Sequence, residues 1–233
     1  MHAKPDLRVF LKWMITRSGS VITDVIPLTS PMKIYSYVIP NDAGFAPNPF
    51  GGFLTLATCK PKIRAKISPG ELLLGTGSAA TVGNDKLVYA AIVHKVETLQ
   101  NYGESEQYKI KIPSTRGEWW RKHGDNIYFI VDDEWQWRRN IHHPITELAK
   151  DTSGENALIC NVFWYFGRDA VSIPENLRAV VKRGPGSKIT TDEKMVASIV
   201  EWLRGLPNGV NGTPEMESDG HDVNPTKCGG APC

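Results

Sequence analysis

Residues 157–167 read ALICNVFWYFG and are apolar at every position except Asn161 and Gly167. A run this short, rich in aromatic and branched side chains, predicts a strand at the centre of a sheet with both faces buried. It falls well below the roughly 18 apolar residues of a membrane-crossing helix. The rest of the chain must therefore be arranged around this strand. Other apolar runs agree. KIYSYVI (33–39) alternates, ELLLGTG (71–77) is bounded by Pro-Gly and Gly-Ser, and KLVYAAIVHKVE (86–97) follows the turn residues GND. NIYFIV (126–131) and EWQWR (134–138) flank Asp132 and Asp133 and predict a hairpin.

Helical signals are fewer. SIPENLRAVVK (172–182) predicts a short helix. In TTDEKMVASIVEWLRG (190–205), Thr190 and Glu193 have capping-box spacing. Met195, Val196, Ile199, Val200 and Leu203 form one apolar stripe, and Gly205 is a natural stop. Strands in hairpin-like order with helices mostly at one end predict an α+β fold. Their spacing suits a small, curved, partly closed β-barrel with a few helices packed at one end.

The two ends differ from this core. Residues 1–31 lack periodicity and close on PLTSP, so they read as a flexible arm, or as an extension ahead of a translation start at Met32 rather than Met1. Lys12 interrupts the only apolar run there, which argues against an export signal. Residues 32–206 form one domain. Residues 207–233 are rich in Gly, Pro, Asn and acids, with little to bury, and are expected to be a disordered tail.

A net charge of +2 over 233 residues excludes a global electrostatic argument for nucleic acid, so any basic surface must be local. Cys59, Cys160, Cys228 and Cys233 show no metal-ligand spacing. That pattern predicts a reducing, cytoplasmic setting with no disulfide framework and no membrane association.

The candidate catalytic residues are Ser78, His142, His143 and Cys59. Ser78 ends GTGS (75–78), which lacks both the third glycine of a dinucleotide fingerprint and the lysine of a P-loop. It is a tight turn or an anion nest. His142 and His143 are adjacent with no third ligand at a telling distance, so neither a metal nor a cofactor is expected. Cys59 lies beside Lys60 and close to Lys62, and cationic neighbours favour a thiolate. It could equally be a small apolar residue. Asp132, Asp133 and Glu134 read as a hairpin tip, and Asp125 as part of a turn.

The basic and aromatic residues suggest binding instead. Lys60, Lys62, Arg64 and Lys66 alternate, and an extended chain would line them along one face to track phosphates. Phe45, Phe50 and Phe53 with Trp164, Tyr165 and Phe166 offer a stacking surface, unless they are core. On a strand, Trp164 and Phe166 share one face and Tyr165 takes the other. Asn48, between two prolines in GFAPNPF (44–50), either reads a base edge or closes an Asx-type turn.

GFAPNPF followed by LATCKPKIR (56–64), then GTGS, GDNIY (124–128), the His142–His143 pair and FWYFG (163–167), resembles the bacterial and phage family called nucleotide-modification-associated domain, type two. The matching positions run over 45–50 and 59–61, with Arg64, Gly75, Gly77, Ser78, His142, His143, Trp164 and Gly167. The resemblance covers about 32–186. It implies a role beside DNA-modification and phage-defence systems, without an assigned reaction. SPGELLLGTGS is also similar, at the level of fold, to PUA-like domains that read modified bases.

Three functions follow. The first is a module binding DNA or a modified nucleotide through Asn48, Phe50, Lys60, Lys62, Arg64 and Tyr165, with other modification or restriction components as further partners. The second is an enzyme acting on a nucleotide base. The third is an interaction protein with no nucleic-acid site. A histidine of the pair within reach of Ser78 or Cys59 would favour the enzyme.

Overall fold

The computed structural model describes residues 31–215. Most of the segment read as an arm, the alternative start at Met1, and the tail beyond Glu215 lie outside the described residues. In chain order the elements begin with β1 (Ile34–Ile39), β2 (Leu54–Leu56), α1 (Pro61–Arg64), β3 (Leu72–Gly77), β4 (Lys86–Ile92), β5 (Lys95–Thr98) and α2 (Leu99–Glu104). There follow β6 (Tyr128–Val131), β7 (Glu134–Trp137), α3 (Leu148–Thr152), β8 (Asn156–Cys160) and β9 (Val162–Tyr165). The last are β10 (Val171–Ser172), β11 (Ser187–Thr190), α4 (Glu193–Arg204) and β12 (Gly209–Val210).

These strands form a seven-stranded mixed sheet of order β11-β1-β3-β4-β9-β12, with β10 paired to β4, a three-stranded sheet β2-β8-β5, and the hairpin β6-β7. The expected PUA-like barrel is not formed. β1 pairs parallel with β3 from Ile34↔Leu72 to Ile39↔Gly77, and β9 pairs parallel with β12. Alternation along a strand specifies which face is buried but not the direction of its neighbour, so the parallel pairs escaped the sequence reading. Two predicted long strands also prove to be bent. Residues 86–97 pass from the large sheet into β5 at Val93–His94, and 157–167 pass from β8 to β9 at Asn161. The bends are tied together, because His94 N donates to Ile159 O at 2.8 Å.

The core lies on both faces of the large sheet. On one, Ile34, Leu72, Leu74, Ala90, Ile92 and Trp164 pack against Val196, Ile199, Val200 and Leu203 of α4. On the other, Tyr37, Leu73, Tyr89 and Tyr165 pack against Leu54 and Leu56 of β2 and Leu158 and Cys160 of β8. Trp164 and Phe166 therefore share a face and Tyr165 takes the opposite one. The α4 stripe is buried where its periodicity places it, but the cap is Asp192, whose side chain accepts from Met195 N at 2.7 Å. Thr190 is engaged in β11 opposite Ile34 instead. The helix expected over 172–182 is a 3-10 turn at Glu175–Val180. At the hairpin tip Asp132 and Asp133 have φ 50° and 62°, the left-handed pair that a tight two-residue turn requires.

Order also extends past the boundary expected at Leu206. β12 pairs Gly209↔Trp164 and Val210↔Tyr165, and Arg168 N donates to Thr213 O at 2.9 Å. A Cβ on Gly212 would lie 1.9 Å from Phe166 O, so this approach requires glycine. The segment is held largely by main-chain bonds, with Pro214 its one buried residue, and composition cannot report that. No helix among the described residues is long and apolar enough to cross a membrane.

Candidate active site

The GFAPNPF loop folds back on β2 through paired bonds between Asn48 and Thr55, both 2.9 Å. The Asn48 side chain is fully occupied inside the protein. Its Nδ2 donates to Gly44 O (3.1 Å) and His123 O (2.8 Å), and its Oδ1 accepts from Phe50 N and from Lys111 Nζ (2.8 Å). Being buried, it cannot read a base edge, and the loop-closing role prevails. The Lys111 ammonium, itself buried, also donates to the carbonyls of Asn48, Phe50 and Phe53. Burial pushes it down to about 7 against the opposing charge of Asp125, and the protonated amine shares its three donors among these four oxygens. The start of β2 is thereby fixed.

At the other end of β2, Ala57 N donates to Asp125 Oδ2 (3.2 Å), and the Tyr102 hydroxyl donates to Asp125 Oδ1 (2.7 Å). The chain then turns sharply. Cys59 and Lys60 have φ 55° and 43°, consecutive left-handed residues that are not glycine. Each such conformation costs on the order of 1–3 kcal/mol and persists only where its surroundings enforce it. Here Cys59 N donates to Asp151 Oδ1 at 2.8 Å, and Arg64 Nε donates to Cys59 O at 2.7 Å. Pro61, with its fixed φ, then starts α1.

This turn dissolves the predicted basic strip. Alternate residues share a face only on an extended chain, and Pro61–Arg64 is helical. Lys62 is exposed, whereas Lys60 Nζ sits 4.9 Å from the Tyr37 ring centroid. Arg64 is completely buried and also donates to Asp151 O and Asn156 O. It clamps the Cys59 turn to the end of α3. Gly154 follows α3 because a Cβ there would lie 2.8 Å from Pro61 Cα and 2.9 Å from Arg64 Cζ.

The opposite wall is the segment after β7. Asn140 Oδ1 accepts from His142 N (2.8 Å) and His143 N (2.7 Å), and Trp137 Nε1 donates to His143 O (3.0 Å). Phe45 lies edge-on to the His143 ring at 5.0 Å. With backbone and ring both held, His143 Nδ1 stands 2.7 Å from Asp151 Oδ2 and Nε2 stands 3.4 Å from Cys59 Sγ. Tyr128 OH donates to the same Asp151 oxygen at 2.8 Å. Burial alone would raise the Asp151 carboxyl. The hydrogen bond and charge of His143, with Tyr128 and Arg64, outweigh it and hold the group below its ordinary value. An ionised Asp151 takes the proton of His143 Nδ1–H in a hydrogen bond, which leaves the Nε2 lone pair facing the thiol.

Of the four catalytic candidates, the structure brings Cys59 and His143 together and leaves the other two apart. Ser78 is in a turn with Thr81, the hydroxyls 3.2 Å apart. His142 stacks on Phe45 at 4.5 Å and pairs its Nε2 with His123 Nδ1 at 2.8 Å. Burial, helped by neighbouring positive charge, pushes His142 down to about 3 and His123 to about 4, so both are neutral near pH 7. Tyr165 is fully buried in the core with its hydroxyl 2.7 Å from Asp42 Oδ2, and it offers no stacking face. Phe50 is buried at the far end of β2, against Trp119 and Trp120.

Sequence reading missed Asp151, Tyr128 and the clamp role of Arg64. Asp151 lies in a short helix with no motif around it. The one local clue was Pro61, whose fixed φ suits the first position of a helix immediately after Cys59-Lys60.

Donor atoms of Cys59, His143 and Asp151 lie within 4.8 Å of one another, close enough to surround an ion. However, Asp151 Oδ1 is taken by Cys59 N–H and Oδ2 by His143 and Tyr128. A metal bound to Asp151 would compete with these bonds at whichever oxygen it took, whereas the row as it stands already has the order a proton transfer needs.

No curated protein and no solved structure matches this chain. The model of the family Nucleotide modification associated domain 2 matches residues 31–220, a span that contains every residue of the Cys59 site. The chain belongs to that family.

Proposed function

We propose that this protein is a thiol-dependent acyl-transfer enzyme acting on a group carried by a nucleotide, with Cys59 as nucleophile, His143 as base and Asp151 as the residue that orients His143. The observation that carries the reading is the row Cys59 Sγ···His143 Nε2 (3.4 Å) and His143 Nδ1···Asp151 Oδ2 (2.7 Å). A nucleophile, a base within reach and a third group orienting that base form the general constellation of covalent catalysis. The family description supports a nucleotide as substrate.

In the first step His143 Nε2 takes the thiol proton, and the sulfur attacks the carbonyl carbon of an amide or ester on the nucleotide. The carbon–nitrogen or carbon–oxygen bond breaks, and the leaving atom receives the proton from Nε2. The acyl group remains on Cys59 as a thioester. Water, or an amine on a second substrate, then gives its proton to Nε2 and attacks the thioester, which restores the thiol. Asp151 stabilises the imidazolium formed in each half. The strained Cys59-Lys60 turn holds the sulfur at this position while Arg64 fixes the turn from beneath.

A binding role through the predicted contacts is not supported, because Asn48, Arg64 and Tyr165 are internal. The test is incubation with N-acyl and O-acyl nucleosides followed by intact-mass analysis. The proposal predicts an acyl mass increment at Cys59 that is absent in Cys59→Ala and forms far more slowly in His143→Gln, which lacks the base for both half-reactions. Equal turnover in wild type and Cys59→Ala would refute it.

A further inference from the structure

A second site lies at the opposite end of β2. Residues 49–52, Trp120, Asn161, Phe163 and residues 208–210 enclose a cleft of about 420 Å³, within the range of cavities that hold small organic ligands. Its wall is aromatic. The Phe50 and Trp120 rings are stacked at 5.8 Å and 22°, and Trp119, 41 % exposed, stands edge-on to Phe50 at 5.1 Å. The loop carrying Phe50 is preformed, because Lys111 fastens the carbonyls of Phe50 and Phe53.

The polar groups at this cleft are unspent in folding. The side-chain amides of Asn161 and Asn208 have no partner among the described residues, and each carries both a donor and an acceptor. Cationic groups adjoin the aromatic wall. The Arg121 guanidinium lies 5.8 Å from the Trp120 ring centroid and its Nε is buried without a partner, while Arg116 and Lys122 are exposed nearby in sequence. Flat aromatic faces, amides able to pair with a base edge, and adjacent cations are what an unpaired nucleobase and its phosphates require.

The placement of the cleft narrows the ligand further. Arg64, which holds the Cys59 turn, bonds Asn156 O at the first residue of β8, whereas Asn161 lines the cleft just past its last residue. Five residues of strand span roughly 16 Å. A base seated in the cleft is therefore not the base whose group reaches Cys59.

We infer that the cleft is a subsite for an unpaired nucleobase, stacked on Trp120, which Phe50 backs, and contacted by Asn161 and Asn208, one that belongs to a neighbouring nucleotide when the substrate is a single strand. The inference takes the reacting strand from the proposed role of Cys59, but base binding can be measured without any reaction.

Binding of a fluorescein-labelled single-stranded 12-mer of mixed sequence would be measured by anisotropy, with nucleoside monophosphates and the matching duplex as competitors. Trp120→Ala is expected to weaken binding about tenfold or more. Asn208→Asp, an isosteric change at an exposed position, is expected to weaken it similarly by placing a negative charge beside the phosphates. Iodoacetamide alkylation of Cys59 in each variant reads whether the fold and the thiol site persist. Strand binding that falls in both variants supports the subsite. No binding by the wild type, or Asn208→Asp binding within twofold of wild type, overturns it. Competition by a monophosphate as strong as by the strand overturns the neighbouring-base assignment. Cleft binding that persists while no acyl group ever reaches Cys59 would overturn the proposed reaction and leave the base subsite standing.

Discussion

Cys59 and His143 are 84 positions apart in the chain, yet Sγ and Nε2 meet at 3.4 Å. Nothing local produces that contact. It depends on two separately enforced pieces of backbone, a left-handed turn held by Arg64 and Asp151 and a loop held by Asn140 and Trp137. Asp151 belongs to both, because one of its oxygens accepts from Cys59 N–H and the other from the His143 ring.

That double role sets the outcome for Asp151→Asn. The amide can still accept from one partner, but it no longer holds the Nδ1–H tautomer by charge. Thiol-dependent turnover should fall by about 10²–10⁴. Stability should fall by about 1–3 kcal/mol, because the Tyr128 and Cys59 N–H bonds are weakened in a buried site. Single-turnover acylation and urea unfolding on the same preparation check both figures.

Arg64 is expected to be more important for the fold than any other charged residue near the site. Removing one member of a buried, fully hydrogen-bonded charge arrangement costs about 3–5 kcal/mol. Arg64→Ala should lose that much in urea unfolding and also slow Cys59 alkylation, because the Cys59 carbonyl is released. Arg64→Lys restores the charge without the planar fork and should recover less than half of the loss.

The histidine pair predicts a pH dependence whose sign can be worked out. His123 and His142 titrate near 6.5 when unfolded and at about 4 and 3 in the fold. Between those values the unfolded chain binds more protons, so stability is lost as pH falls below 6.5. Burial pushes Asp42 up to about 6, and it acts in the opposite direction between its unfolded value and 6. Asp125 and Glu215 are also raised and act with Asp42, so the histidine contribution is read by difference. Between pH 6 and 4 the wild type should lose more stability than His123→Gln/His142→Gln, by about 1.4 kcal/mol per pH unit for each histidine replaced. Parallel profiles in urea unfolding for the two proteins would exclude a neutral buried pair.

The sequence made the periodic features legible and left the non-local ones hidden. Strand positions, the Asp132-Asp133 hairpin and the opposite faces of Trp164 and Tyr165 follow from alternation and turn chemistry. The parallel pairing of β1 with β3, and the bends at His94 and Asn161, depend on which strands become neighbours, and no single segment encodes that. At the site, Cys59 and His143 were nameable as chemistry-bearing residues. Asp151 was not, because a lone carboxylate in LAKDT differs from a surface one only through the Tyr128, His143 and Cys59 groups that surround it. Arg64 was misread because the alternation of lysines carries an extended pattern, whereas Pro61 here opens a helical turn.

The ordered C-terminal segment gives a direct comparison. A chain ending at Leu206 lacks β12 and the Arg168–Thr213 bond. It should melt about 4–8 °C below one ending at Glu215, the shift expected for roughly 2 kcal/mol in a domain of this size. Equal melting temperatures would mean that the pairing with β9 contributes nothing.

The central claim is that His143 activates Cys59, and the alkylation profile of Cys59 tests it most directly. In a Cys228→Ser/Cys233→Ser background, with Cys160 fully buried, iodoacetamide labelling followed by intact mass reports on Cys59 alone. An ordinary thiol is only about 0.3 % thiolate at pH 6. The account predicts labelling at pH 6 within a few-fold of the rate at pH 8, and a loss of about 100-fold at pH 6 in His143→Gln. A rate that climbs tenfold per pH unit from 6 to 8, and does so identically in both proteins, would contradict it.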